Sequence, residues 1–168
     1  KAHKDGLLWS YKKKFNFTIT MDTDFAHHTN YIRPLLKKVQ KADLVIGSRY
    51  IKKKSVPNWS LFRVFLSSGA HLVSYILFKH KFDSTNAFRC YNLNKINKNF
   101  IFKCKSNDYD FFFTSLALLN LRKYEISEIP MTIKGRTEGN SKMYIRYMFK
   151  SVFMMFNIFL KIKFNYLK

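Results

Sequence analysis

Acidic side chains are scarce in this chain: ten Asp and Glu face 31 Lys and Arg, giving a formal net charge of +21. A surplus of that size points to an anionic partner, whether nucleic acid, an anionic membrane or a phosphorylated substrate. Cysteine is nearly absent, and the two that occur, Cys90 and Cys104, match no metal-ligand or redox spacing. A disulfide framework is thereby excluded, and reduced, partly buried thiols in a cytosolic setting are expected. The charged start lacks the apolar core of a signal peptide, and no initiator Met is present, so the numbering reads as beginning inside a longer chain. Long hydrophobic runs are missing too. The main stretches free of Lys, Arg, Asp and Glu, 64–78 and 151–160, fall short of the ~20 apolar residues of a membrane span. No repeat or low-complexity linker marks a domain boundary.

What is present is an alternation of helix and strand patterns. Residues 2–13 read as a helix with Leu7 and Leu8 inward, and "FNFTIT" at 15–20 as a buried strand ending at Asp22. "NYIRPLLKKVQ" at 30–40 places Ile32, Leu35, Leu36 and Val39 on one helical face, with Pro34 in the first turn, where a missing N–H does little harm. "ADLVIGS" at 42–48 is a second buried strand stopped by Gly47, and 61–78 is the longest helical pattern. "KYEISEIPMTI" at 123–133 is a third strand, which Pro130 confines to an edge or a bulge. Such alternation predicts an α/β domain with a mostly parallel sheet.

Ligands of such sheets sit beyond the carboxyl ends of the strands. Asp22 and Asp24 of "TITMDTDFAHH" fall at one such end, and two carboxylates so close repel unless a cation or hydrogen-bond donors satisfy them. Mg²⁺ or Mn²⁺, which share their shell with substrate phosphates, would do so; a turn in which one Asp caps the next helix would also explain the pair. Arg49 of "DLVIGSRY" lies just past the second strand. Arg63 and Ser67 of "SLFRVFLSS" are one turn apart on one helix face, able to hold a phosphate between them.

With "DSTNAFRCY" at 83–91 and "EIPMTIKGRTEGNSKM" at 128–143, these motifs form an ordered series from about Ala2 to Met143. The series resembles the polyprenyl-phosphate glycosyltransferases, most closely the dolichyl-phosphate mannosyltransferase type. The resemblance implies a GT-A fold and an inverting, metal-assisted transfer of a sugar, such as mannose from GDP-mannose, to a polyprenyl phosphate. It implies that Asp22 and Asp24 bind the metal beneath the donor diphosphate. It implies that Arg49, Arg63 and Ser67 grip the acceptor phosphate, that Arg89 touches substrate, and that Arg136, Ser141 and Lys142 belong to a loop closing over the site. Five positions after Asp24 depart from the family pattern, Ala26, His27, His28, Thr29 and Asn30, as do Asn86, Ala87 and Thr114. A Gln near the metal is thereby lost. His27 is expected as a surface residue capping the next helix, with partial replacement of that Gln as the alternative. The family's first strand and base-gripping residues would lie upstream of Lys1, so 1–143 reads as the carboxyl-terminal two-thirds of a catalytic domain.

Residues 144–168 carry aromatics and Met around a helix with Lys and Arg spread through it, a pattern suited to lie in a membrane interface at the cytoplasmic face. Packing of that helix on the domain core is the alternative. The Lys runs "YKKKF" and "IKKKS" read as solvated loop or helix edges. Two other functions fit the composition: a basic, aromatic-rich nucleic-acid-binding module, or a catalytically inactive membrane-bound relative. No RNA-binding signature accompanies the first, so no nucleic-acid partner is expected.

Overall fold

A computed structural model of the chain describes residues 1–23, 26–57, 59–104, 110–133 and 145–164, with the backbone alone at 110 and 145–151. In chain order the elements are α1 (Ala2–Lys12), β1 (Phe17–Thr20), a 3₁₀ turn (Thr29–Tyr31), α2 (Ile32–Val39), β2 (Leu44–Ser48) and α3 (Leu61–Phe78). They continue with β3 (Arg89–Asn92), α4 (Asn99–Lys103), α5 (Asp110–Leu121), β4 (Ile126–Pro130) and α6 (Ile145–Lys163). The fold is α/β and compatible with part of a GT-A fold. Its strands run in the order β1-β3-β2-β4 among the described residues.

The expectation of a mostly parallel sheet is corrected. β3 lies antiparallel between β1 and β2, and only β2 and β4 pair in parallel among the described residues. The three strands legible in the sequence do share one direction, because β1 and β2 both oppose β3. The unforeseen strand begins with Arg89, a charge that breaks the apolar signal of a buried strand. Pro130 ends β4 opposite Ser48, on the sheet edge, where its missing N–H interrupts no inner ladder. Gly47 does not stop β2; it lies inside it, and a Cβ there would meet Met131 Sδ at 2.5 Å.

Strand alternation divides the core. Leu44, Ile46 and Tyr91 join Leu7, Phe100, Leu116 and Met155 on one face, while Val45 and Cys90 join Leu35, Val39 and Ile129 on the other. All four apolar residues anticipated on α2 pack in that second cluster, and Leu7 and Leu8 of α1 in the first. Both cysteines are buried thiols, as expected, and burial pushes Cys90 up to about 12.

α3 is capped by the Ser60 hydroxyl, which accepts the Arg63 N–H at 3.3 Å. The stretch 64–78 taken alone falls short of a span. The full helix has 18 residues with mean hydropathy 1.5, which is long and apolar enough to cross a membrane by length and composition. One side packs on α6 and the core, while Leu61, Phe62, Phe65, Leu72 and Ile76 face outward, Leu61 at 88% exposure. α6 packs on α3 and α5, burying Met155 and Ile158 in the core, yet leaves Phe153 and Phe156 exposed, as is Phe164 just beyond its end.

His80, just beyond α3, is buried with Phe78 and Phe82 stacked at 6.1 and 5.7 Å. Burial, reinforced by Arg89 and His71, lowers its pKa from 6.5 to about 4. Between these values the unfolded chain binds the proton and the folded one does not. Stability is therefore full above about 6.5 and falls as pH drops toward 4, by up to ~3 kcal/mol for this residue. Urea melts at pH 7 and 4.5 should show that loss shrinking in His80→Leu; an unchanged loss would assign it to other groups.

Candidate active site

β1, β2 and β4 end on one edge of the sheet, and antiparallel β3 starts there, so four connecting segments converge. Arg49 follows β2. Its guanidinium meets the Asp83 carboxylate two-fold, Nε to Oδ2 at 2.8 Å and Nη2 to Oδ1 at 2.6 Å, and its backbone N–H donates to Oδ2 at 3.1 Å. Nη2 also donates to the Thr85 hydroxyl at 2.6 Å. Asp83 is fully buried and the Arg49 side chain only 11% exposed. Burial opposes both charges, but each partner outweighs it: Arg49 is held above its ordinary pKa and Asp83 below its own. Glu128 of β4 accepts the Asp83 N–H at 2.6 Å, and burial raises its carboxyl above the usual range.

A cleft of about 530 Å³ opens beside Arg49, lined among others by Tyr50, Lys52, Lys54, Trp59 and Ser67. Tyr50 bridges its two walls. Its hydroxyl lies 2.9 Å from Ser67 Oγ on α3, and its ring stacks on His71 at 3.9 Å. Arg63, one turn before Ser67, lays its guanidinium over the Trp59 ring at 3.9 Å, and that ring also stands 5.7 Å from Arg49. The Lys52–Lys54 run is exposed, as expected of a solvated loop, but Lys52 and Lys54 help line this cleft.

On the other side of the edge, Asp22 follows β1 with its side chain 48% exposed and 3.9 Å from His3 Nε2. Burial lowers the His3 pKa despite that carboxylate. The Asp22 N–H donates to His27 Nδ1 at 3.0 Å, which leaves the proton on Nε2 to reach Asn86 Oδ1 at 3.0 Å. His27 is thus buried and stacked on Phe88. The cap on the following turn is His28, whose Nδ1 accepts the Asn30 N–H at 3.2 Å. The expectation of a surface His27 capping that helix is therefore corrected.

No family model matches the chain. It is 30% identical over 144 residues to a polyprenol monophosphomannose synthase of Mycolicibacterium smegmatis, covering 84% of this chain and 54% of that protein. It is 28% identical over 143 residues to an undecaprenyl-phosphate mannosyltransferase of Micrococcus luteus, covering 84% of this chain and 59% of that protein. The chain is a homologue of the polyprenyl-phosphate glycosyltransferases. It spans little more than half the length of these two relatives.

Of the residues this family resemblance singles out, Arg49 and Ser67 line one cleft, and Arg63 reaches it through Trp59. Asp22 stands at the same sheet edge. Asp24, Arg136, Ser141 and Lys142 lie outside the described residues. Arg89 is corrected from substrate contact to support. It is fully buried, and its three guanidinium nitrogens donate to the carbonyls of Asn86, Phe112 and Ser84 at 2.7–2.8 Å. These bonds tie segment 83–88 to α5. Sequence reasoning missed Asp83 and Trp59. Asp83 was legible as one of only ten acids, placed at the head of a quoted motif; Trp59 carried no signal until its neighbours in space were known.

Proposed function

We propose that this chain is part of an inverting glycosyltransferase that moves a sugar, with mannose the first candidate, from a nucleotide-sugar to a polyprenyl phosphate. The observation that carries the proposal is the cleft lined by Arg49, Ser67 and Trp59, with Arg63 over the Trp59 ring, beside the exposed apolar side of α3. Such a site suits an amphiphile with an anionic head. A phosphate monoester has its second pKa near ~6 and is already nucleophilic at neutral pH, so no general base is needed. Its oxygen attacks the anomeric carbon as the bond to the nucleoside diphosphate breaks, inverting that carbon. The task left to the protein is to hold two anions together, which the Arg residues serve electrostatically.

Asp22 fits a resident Mg²⁺ or Mn²⁺: it offers hard carboxylate oxygen, half exposed at the sheet edge. Among the described residues no group of three His, Cys, Asp or Glu could form an all-protein cage. A magnesium site needs no such cage, since it uses one or two carboxylates plus substrate phosphates. Asp22 and Asp24 would hold the ion, and when bound it would supply neutralisation of the leaving diphosphate.

Arg63→Ala in the full-length protein should raise the acceptor KM at least tenfold or abolish transfer, with donor binding unchanged. A fall in donor affinity with acceptor dependence intact would refute the assignment.

An acceptor whose chain is buried in a bilayer calls for an enzyme at its surface. We place α3 and α6 there, because their exposed Leu, Ile and Phe side chains accompany a chain of net charge +21. Phe65→Asp with Leu72→Asp should sharply reduce co-flotation of this chain with phosphatidylserine vesicles; undiminished flotation would remove α3 from the contact.

A further inference from the structure

We propose that Trp59 is a positioning residue, holding the Arg63 guanidinium near that of Arg49 so that both meet a single phosphate. The proposal rests on reading the cleft as the acceptor-phosphate site. Three observations support it. The ring centroid lies 3.9 Å from Arg63 Cζ and 5.7 Å from Arg49 Cζ, both within the ~6 Å reach of a cation–π contact. Two cations drawn toward one point repel each other, and the negative π face of an indole close to both offsets part of that repulsion. Arg63 also stands in the first turn of α3, where the positive end of the helix dipole disfavours a cation. Repulsion and dipole both oppose this arrangement, and the charge of a phosphate bound there offsets both.

The two arginines are also held differently. Arg49 is fixed by the two-fold bond to buried Asp83 and by Thr85. The Arg63 guanidinium carbon stands 3.9 Å from the centre of the Trp59 ring, and the ring itself lines the cleft. Loss of the indole therefore removes the aromatic contact beneath Arg63 while Arg49 stays in place. The effect should fall on acceptor affinity and leave donor affinity and kcat largely alone.

The test is equilibrium binding of a short-chain isoprenyl phosphate to the full-length protein, alongside steady-state KM and kcat. Trp59→Leu should weaken binding about tenfold and Trp59→Phe about threefold, the range of one cation–π contact expressed as affinity. Fluorinated tryptophans at position 59, which keep ring shape and weaken the π face, should lower affinity stepwise with each added fluorine. That stepwise fall separates positioning from packing, and it survives even if Trp59→Leu folds poorly. Flat affinity across the fluorinated series overturns the proposal. So does wild-type affinity in Trp59→Leu when Arg63→Ala is weakened. If Arg63→Ala and Trp59→Leu both bind like wild type, the acceptor reading of the cleft falls, and this proposal with it.

Discussion

Asp83→Asn should cost the fold about 3–5 kcal/mol, because it strands a buried guanidinium without its counter-charge. Asp83 is fully buried and gives both carboxylate oxygens to Arg49. An asparagine can accept at one atom but presents an NH₂ to the other donor. The penalty is one of pairing rather than of volume. Asp83→Leu combined with Arg49→Met should therefore recover most of the stability that either change alone destroys. Urea melts of the four species at pH 7 give the coupling. The pH dependence has a fixed sign. The folded-state pKa of Asp83 is depressed, so the pair's contribution is present above the unfolded value of 3.8 and is lost as pH falls through the folded one. An Asp83→Asn protein within about 0.5 kcal/mol of wild type, the usual range for a surface change, would mean that the pair is not held as described.

Elements whose pattern is local were legible in the sequence. α2 shows its buried face at 32, 35, 36 and 39, and α3 carries its capping serine just before the run it starts. β2 is buried throughout and reads as one apolar run. β3 was not legible, because its first residue is an arginine whose charge is satisfied by the carbonyls of Ser84, Asn86 and Phe112. Only the fold brings the last of these close. The same holds for Gly47: its lack of a side chain admits Met131, a neighbour that is distant in sequence.

The candidate site divides in the same way. Arg63 and Ser67 could be paired from helical spacing, and Arg49 placed at a strand end. The partners that hold them, Asp83, Tyr50 and Trp59, are joined to them across turns and elements. His27 and Asn86 each read as an isolated departure from the family pattern. In space they bond to each other at 3.0 Å, and His27 in turn holds the Asp22 N–H. The two departures together form one support for the Asp22 turn, which no single position could reveal.

That support bears on the proposed metal. Asp24→Asn in the full-length protein should lower transfer by roughly 10²- to 10³-fold, the scale for removing one electrostatic stabiliser of a developing charge. The melting temperature should hardly move. Asp22 is half exposed and tied to the fold through its backbone N–H, so its carboxylate does no structural work that a cation must replace. The net charge of +21 makes the same argument from the opposite side. A chain so rich in Lys and Arg can attract a nucleoside diphosphate without a metal, so a carboxylate pair at 22 and 24 is the feature that recruitment of a cation would explain. Two measurements separate the possibilities. Titration of Mn²⁺ in the presence of a nucleoside diphosphate should show binding that Asp24→Asn weakens by at least tenfold, and excess chelator should silence the wild-type enzyme. Full turnover in chelator, or an Asp24→Asn enzyme as active as wild type, would refer the repulsion at Asp22 to nearby donors alone, with His3 Nε2 at 3.9 Å the first of them.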